Sequence, residues 1–143
     1  TIAVGWGGVS GLSNRSTEQI NPGTVYTFAI GKNAAMPVYE RQAKKEYLTL
    51  PVEVTDEQVA KGASLFGKYC GPCHNLNAGN PGGSIPNLTY SHPDIMGAFH
   101  SIVRDGIFLP KGMPKFGGRL SDADISNIKG YILVTAKKNR ESK

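Results

Sequence analysis

The sequence predicts an all-α domain of three main helices over residues 55–143, preceded by a short β-type segment at 1–31 and a linker at 32–54. Two observations support this division. Beyond residue 55, apolar side chains recur at the spacing of an amphipathic helix, and each such stretch begins with residues that cap helices. Before residue 32, the chain is instead rich in β-branched and aromatic residues, which favour strands.

The first predicted helix begins at Thr55, which can form a capping box with Gln58. In such a box, each side chain bonds the backbone N–H of the other residue. Val59, Phe66 and Cys70 then fall on one face of the helix. We therefore expect this helix to pack through that face and to run directly into the cysteines.

Two further helices are separated by loops at 75–90 and 107–120, which are rich in glycine and proline. The second helix should begin near Ser91 and end at Gly106, and the last should begin at Ser121. Their apolar positions should form the core together with the first helix. These positions are Ile95, Phe99, Ile102, Val103, Ile125, Ile128 and Ile132.

The β-type segment contains two candidate strands, at residues 2–4 and 24–30, with a turn signal at 21–23 between them. Two strands cannot bury a face alone, so they need a sheet that this chain does not contain. Residues 32–54 show no clean periodicity and are expected to be a linker lying over another surface. No secretory signal is visible at the start, so either it was removed or the chain is a fragment; we favour a fragment.

The charge balance limits the classes of partner that the chain is expected to bind. Lys and Arg number 16 against 11 Asp and Glu, which gives a formal net charge of +5. These charges are scattered, and no basic block is interleaved with aromatic residues, so we expect no nucleic-acid partner. No apolar run approaches the ~18 residues of a membrane span. An acidic protein partner is more plausible.

Cys70, Cys73 and His74 form a C-x-x-C-H motif, which is the attachment signal for haem c. Each thiol can add to one of the two haem vinyl groups, because cysteines three positions apart at a helix end span the distance between those groups. The adjacent imidazole then lies under the iron. The motif therefore predicts one covalent haem c with His74 as the proximal iron ligand.

Three other interpretations of this motif are weaker. Cys-Gly-Pro-Cys is also the active-site string of thioredoxin-like proteins, but there it opens a helix, whereas here it closes one. A zinc site would need further ligands, and His92 and His100 lie at spacings unlike those of zinc fingers. A structural disulfide between Cys70 and Cys73 would not need His74.

An electron-carrying haem iron needs a sixth ligand, and Met113 is the preferred candidate. It lies in a loop between two helices, flanked by glycine and proline, and such a loop can wrap over the far face of the haem. Met96 and His100 are the alternatives, although Met96 is more readily explained as core filler and His100 as a surface histidine. Met36 lies in the linker. A His/Met ligand pair raises the reduction potential.

The second ring nitrogen of His74 should be oriented by a hydrogen bond, as it is in most metal-bound histidines. A backbone carbonyl in the loop at 84–88 is the natural acceptor, and we select Pro86.

Residues 55–137 resemble class I cytochromes c. The matching pieces are Gly62 and Phe66, the C-x-x-C-H motif, the turn at 85–88, the Gly-Met-Pro at 112–114, and Tyr131. The resemblance implies that the first and last helices cross at a glycine and stack two aromatic rings. Gly62, Phe66, Gly130 and Tyr131 fit those roles.

Residues 1–54 resemble the closing propeller strands and linker of PQQ-dependent quinohaemoprotein alcohol dehydrogenases, which end in a cytochrome c domain. The similar pieces are residues 2–8, 25–31 and 50–55. The resemblance implies that reduced PQQ in a propeller domain passes electrons to this haem. The haem would then reduce a blue copper protein, a cytochrome or a quinone system. Most of the propeller is missing, so this chain alone cannot hold PQQ or oxidise an alcohol, and we assign it no catalytic residue.

Two other functions stay open. The chain could be a free-standing periplasmic electron carrier, or an enzyme or sensor with an open iron site. Because haem is normally attached by thioether bonds after export, we expect a periplasmic location.

Overall fold

The structure, a computed structural model, describes residues 2–4, 24–33, 35, 46–74 and 85–142. It contains strands β1 (Ile2–Val4) and β2 (Thr24–Tyr26). Four α-helices follow: α1 (Asp56–Tyr69), α2 (Pro93–Gly97), α3 (Phe99–Arg104) and α4 (Asp122–Glu141). Short 3₁₀ turns lie at Leu88–Tyr90 and Leu109–Lys111. None of the helices in these described ranges is long and apolar enough to cross a membrane.

The two strands pair antiparallel, with Ile2 opposite Tyr26 and Val4 opposite Thr24. The β-type prediction is confirmed for these residues, but the second strand is shorter than the predicted 24–30. Phe28 and Ile30, which were expected to continue it, are strongly exposed.

Capping boxes start both long helices where the sequence predicts them. At α1, the Thr55 Oγ1 accepts a bond of 3.2 Å from the Gln58 N–H, and the Thr55 N–H donates to the Gln58 Oε1 at 2.9 Å. At α4, Ser121 and Asp124 exchange the corresponding bonds, each of 3.1 Å. Each box satisfies amide groups that lack partners in the first turn, so these two helix starts are fixed locally.

The prediction of one helix from Ser91 to Gly106 is wrong in detail. His92 is the N-cap of α2, and the helix is interrupted at Ala98 (φ −85°, ψ 7°) before α3 begins. Gly97, directly before the break, weakens a helix by about 1 kcal/mol relative to alanine. Gly106 has a φ of +78° just beyond α3, as expected of a glycine that ends a helix.

The crossing of α1 and α4 forms the centre of the core. A Cβ on Gly62 would lie 2.7 Å from the backbone carbonyl carbon of Asn127, so only glycine permits this approach. Phe66 and Tyr131 contact with ring centroids 5.5 Å apart and planes tilted by 54°. The predicted role of Gly130 needs correction: a Cβ there would meet the side chain of Val54, not α1.

The apolar core fills the space between these helices. Its fully buried side chains include Met96, which confirms the expectation that this methionine is core filler. The segment at 46–54, the described end of the predicted linker, packs on the same core through Leu48, Leu50 and Val52. The other predicted core positions that are buried are Phe99, Ile102, Val103, Ile125, Ile128 and Ile132.

Candidate haem site

The C-x-x-C-H motif lies at the carboxyl end of α1. The Cys70 N–H donates to the Phe66 carbonyl at 2.8 Å, which ends the helix, and the His74 N–H donates to the Cys70 carbonyl at 2.7 Å. The chain therefore makes one further turn, which leaves Cys70 buried and Cys73 exposed, both as free thiols. This arrangement is the inverse of a thioredoxin-like site, in which the cysteines open a helix.

Burial raises the pKa of the Cys70 thiol to about 11, and the neighbouring Cys73 adds to the rise. A low-pKa redox cysteine needs the opposite environment, with positive charge or a helix amino terminus near the sulfur. Cys70 thus lacks the environment of a thiol–disulfide exchange site. An apolar setting is compatible with a thiol that forms a covalent bond to a cofactor.

The imidazole of His74 is fixed from one side. Its Nδ1 lies 2.9 Å from the Pro86 carbonyl oxygen, so Nδ1 must carry the proton and donate. In the neutral ring, Nε2 then carries the free lone pair and can act as a metal ligand. The Pro86 carbonyl is thus the hydrogen-bond acceptor that was selected from the sequence.

Met113 lies in the loop that follows α3, and this loop is hydrogen-bonded back to the end of that helix. The Phe116 N–H donates to the Val103 carbonyl at 2.8 Å, and the Gly117 N–H donates to the Arg104 carbonyl at 3.1 Å. The Met113 side chain is partly buried and packs on the edge of the core. Its thioether is thus presented by a loop tied at its base to a helix.

The alternative sixth ligands have other roles in the structure. Met96 is fully buried in the core. The Nε2 of His100 lies 3.1 Å from the Ser126 hydroxyl, and its Nδ1 lies 3.9 Å from Asp122. Met36 lies outside the described residues. Met113 therefore stays the preferred ligand.

The donor set fits haem c better than it fits a protein-bound metal ion. Two free thiols at a helix end, an imidazole with one nitrogen already bonded, and a loop thioether are the donor types that would attach this group and bind its iron. Within the described ranges, no three His, Cys, Asp or Glu residues are grouped to hold a metal ion. The zinc interpretation of the motif gains no support.

Two glycines shape the methionine loop: Gly112, which belongs to the Gly-Met-Pro noted in the sequence, and Gly117, which was not singled out there. A Cβ on Gly117 would lie 2.6 Å from the Arg104 carbonyl oxygen, and Gly112, next to Met113, has a φ of +90°. The Arg104 Nη1 also donates hydrogen bonds to both carboxylate oxygens of Asp122, at 2.9 and 3.0 Å. Two adjacent glycines, Gly117 and Gly118, are a sequence pattern that could have indicated a close backbone approach here. The pattern does not show that the neighbouring backbone belongs to α3.

Comparisons with known proteins place this geometry in context. Residues 57–132 match the family model described as "Cytochrome C oxidase, cbb3-type, subunit III". The "1-butanol dehydrogenase (cytochrome c)" of Thauera butanivorans is 41% identical over 143 residues, which are 100% of this chain and 20% of that protein. The quinohemoprotein alcohol dehydrogenase of Comamonas testosteroni is 38% identical over 136 residues, covering 95% of this chain and 19% of that protein.

The crystal structure of the Comamonas testosteroni enzyme superposes with a TM-score of 0.74, over 96% of this chain and 20% of that one. This chain thus spans about a fifth of the length of the relatives it matches. The matched regions include residues before the helical domain, since the Thauera butanivorans alignment covers the whole of this chain.

Proposed function

Because the chain belongs to the family described as "Cytochrome C oxidase, cbb3-type, subunit III", it is a cytochrome c domain whose cofactor is haem c, and we propose which residues hold that haem. The class I cytochrome c fold and the haem c expected from the sequence are confirmed. Cys70 and Cys73 would form the thioether bonds, and His74 and Met113 would bind the iron. The observation that carries this assignment is the bond of 2.9 Å between the His74 Nδ1 and the Pro86 carbonyl.

The chain's own residues supply three things to electron transfer. The Pro86 carbonyl holds the His74 ring in one tautomer and orientation. Phe66 and Cys70 belong to one buried apolar cluster, with Tyr69 packed against it, and this cluster would exclude water from one side of the site. The tied loop presents the neutral thioether of Met113, a ligand that favours the reduced state. When bound, the haem supplies an iron that cycles between the ferric and ferrous states.

The wider function is electron transfer within a quinohaemoprotein dehydrogenase. Reduced PQQ in a propeller domain gives electrons to this domain, which passes them to an external acceptor such as a blue copper protein, another cytochrome or a quinone system. Relatives with dehydrogenase names align with this chain over residues before the helical domain as well as within it, which favours this role over a free-standing carrier. Maturation of haem c after export places the protein in the periplasm.

The test uses the full-length protein that contains this chain, loaded with PQQ and then mixed with 1-butanol, the alcohol in the name of one relative. The ferrous absorption bands of the haem should grow after the alcohol is added, and only when PQQ is present. Met113→Ala should slow this reduction or alter the final spectrum. If the alcohol is consumed while the haem stays ferric, the electron path through this domain is wrong.

A further inference from the structure

The segment at 46–52, called here the strap, is hydrogen-bonded to two other parts of the domain through the backbone of Leu48. This side chain is only 4% exposed, and its N–H donates to the Thr89 carbonyl at 2.7 Å. Its own carbonyl accepts a bond of 3.1 Å from the Arg140 Nη1, near the end of α4. The strap is therefore bonded to the 3₁₀ turn at Leu88–Tyr90 through its N–H and to α4 through its carbonyl.

The turn that receives the strap also carries the hydrogen-bond acceptor of His74. Pro86 opens this turn, and the two polar side chains that follow, Asn87 and Thr89, are buried. The Asn87 Oδ1 accepts from the Thr89 N–H at 3.0 Å and from the Thr89 Oγ1 at 2.8 Å. Because these internal bonds fix the turn, it should move as a unit, and a displacement at Thr89 should reach Pro86.

A pair of tyrosines joins the strap to the same turn. The rings of Tyr47 and Tyr90 are stacked, with centroids 4.3 Å apart and planes within 22°. Burial and a hydrogen bond that the Tyr90 hydroxyl donates to Tyr47 raise the pKa of Tyr90 above its usual value. The strap thus meets the turn through one backbone bond, one ring stack and this hydroxyl contact.

We propose that Tyr47 is a positioning residue for His74, acting through the turn at 86–90. The strap contacts this turn at two points: the Tyr47 ring stacks on Tyr90, and the Leu48 N–H bonds the Thr89 carbonyl. The same turn begins with Pro86, whose carbonyl bonds the His74 Nδ1. In chain order the strap precedes α1, so the segment that leads into the domain would also hold the His74 ring in place. This inference rests on the proposed role of His74 as iron ligand.

The test measures hydrogen exchange of the His74 Nδ1 proton by NMR in the haem-loaded protein, with the Ile128 amide in the core of α4 as reference. Tyr47→Ala should speed exchange at His74 by about threefold to tenfold relative to Ile128, the opening expected when one ring stack is lost. Tyr47→Phe keeps the ring stack and removes only the hydroxyl, so its exchange should lie much closer to wild type than that of Tyr47→Ala. A role in overall stability alone would speed both protons together.

A second pair of variants tests whether the strap positions His74, in case Tyr47→Ala does not fold. Arg140→Met removes the bond to the Leu48 carbonyl, and Lys137→Met removes the same charge from the same helix end at an exposed position. Only Arg140→Met should speed exchange at His74. Equal exchange ratios in each variant and its control would overturn the inference. Failure of the proposed function would show differently, as a wild-type protein in which the His74 ring does not bind iron.

Discussion

Gly62 of α1 lies against the backbone carbonyl of Asn127 in α4, so closely that a Cβ would come within 2.7 Å of the carbonyl carbon. This contact sets the distance between α4 and α1, the helix that runs into the cysteines. It also brings Phe66 and Tyr131 into ring contact one turn further along α1.

Gly62→Ala should therefore destabilise the protein by about 1–3 kcal/mol, since the added methyl group forces the helices apart. Gly67→Ala is the matched control, because this glycine is exposed on the same helix and a Cβ there meets nothing within 4 Å. The control should be neutral or slightly stabilising, as alanine favours helices. Denaturant unfolding of both haem-loaded variants checks this, and equal midpoints would show that the close crossing is not required.

Met113→Ala should open the sixth coordination position. The ferric protein would lose the methionine–iron charge-transfer band, bind added imidazole more tightly and show a lower reduction potential. Met96→Leu is the control, because Met96 is fully buried in the core and should leave the spectrum unchanged. An unaltered spectrum in Met113→Ala, with a changed one in Met96→Leu or a His100 variant, would move the ligand assignment.

The start of α4 should lose stability in acid. Hydrogen bonds from Ser121, with Lys61 adding to them, lower the pKa of Asp124 to about 2. A carboxyl group whose pKa is lower in the folded state stabilises that state above its unfolded pKa of about 3.9, and this contribution is lost as the pH falls towards 2. Asp124→Asn should thus lower the melting temperature at pH 7 but change it little near pH 2. A difference of the same size at both values would exclude ionisation as the cause.

Lys111 and Lys115 are exposed on either side of Met113 and should form a weak positive rim where an acidic acceptor approaches. Lys111→Glu with Lys115→Glu should slow reduction of such an acceptor at low salt. The effect should shrink at physiological salt, where charges are screened beyond about 8 Å. Lys137→Glu with Lys138→Glu, at the end of α4, carries the same charge change as a control. Rates that ignore both charge reversal and salt would indicate apolar docking.

The features that the sequence predicted correctly are those determined by neighbours along the chain. The capping box at Thr55 joins residues three positions apart, the helix start at Ser121 depends on its first turn, and the C-x-x-C-H spacing is local as well. The break at Ala98 was missed because apolar spacing continues across it. The role of Gly130 was misassigned because its neighbour, Val54, lies far away in the chain.

The strap could not be predicted for the same reason. The Arg140 side chain bonds a carbonyl 92 positions away, and no pattern near either residue indicates that bond. The Pro86 acceptor could be selected because a loop carbonyl near the histidine is a general need of metal-bound imidazoles. The contacts that support Pro86, from Asn87 to Tyr47, appear only in the folded chain.

The attachment of haem by Cys70 and Cys73 is the central claim, and acid–acetone extraction of the denatured protein tests it most directly. The wild-type protein, matured in a periplasm with a cytochrome c assembly system, should keep its haem in the protein pellet. Cys70→Ala with Cys73→Ala should release all of it into the solvent. Haem extracted completely from the wild-type protein would contradict the covalent site on which this account depends.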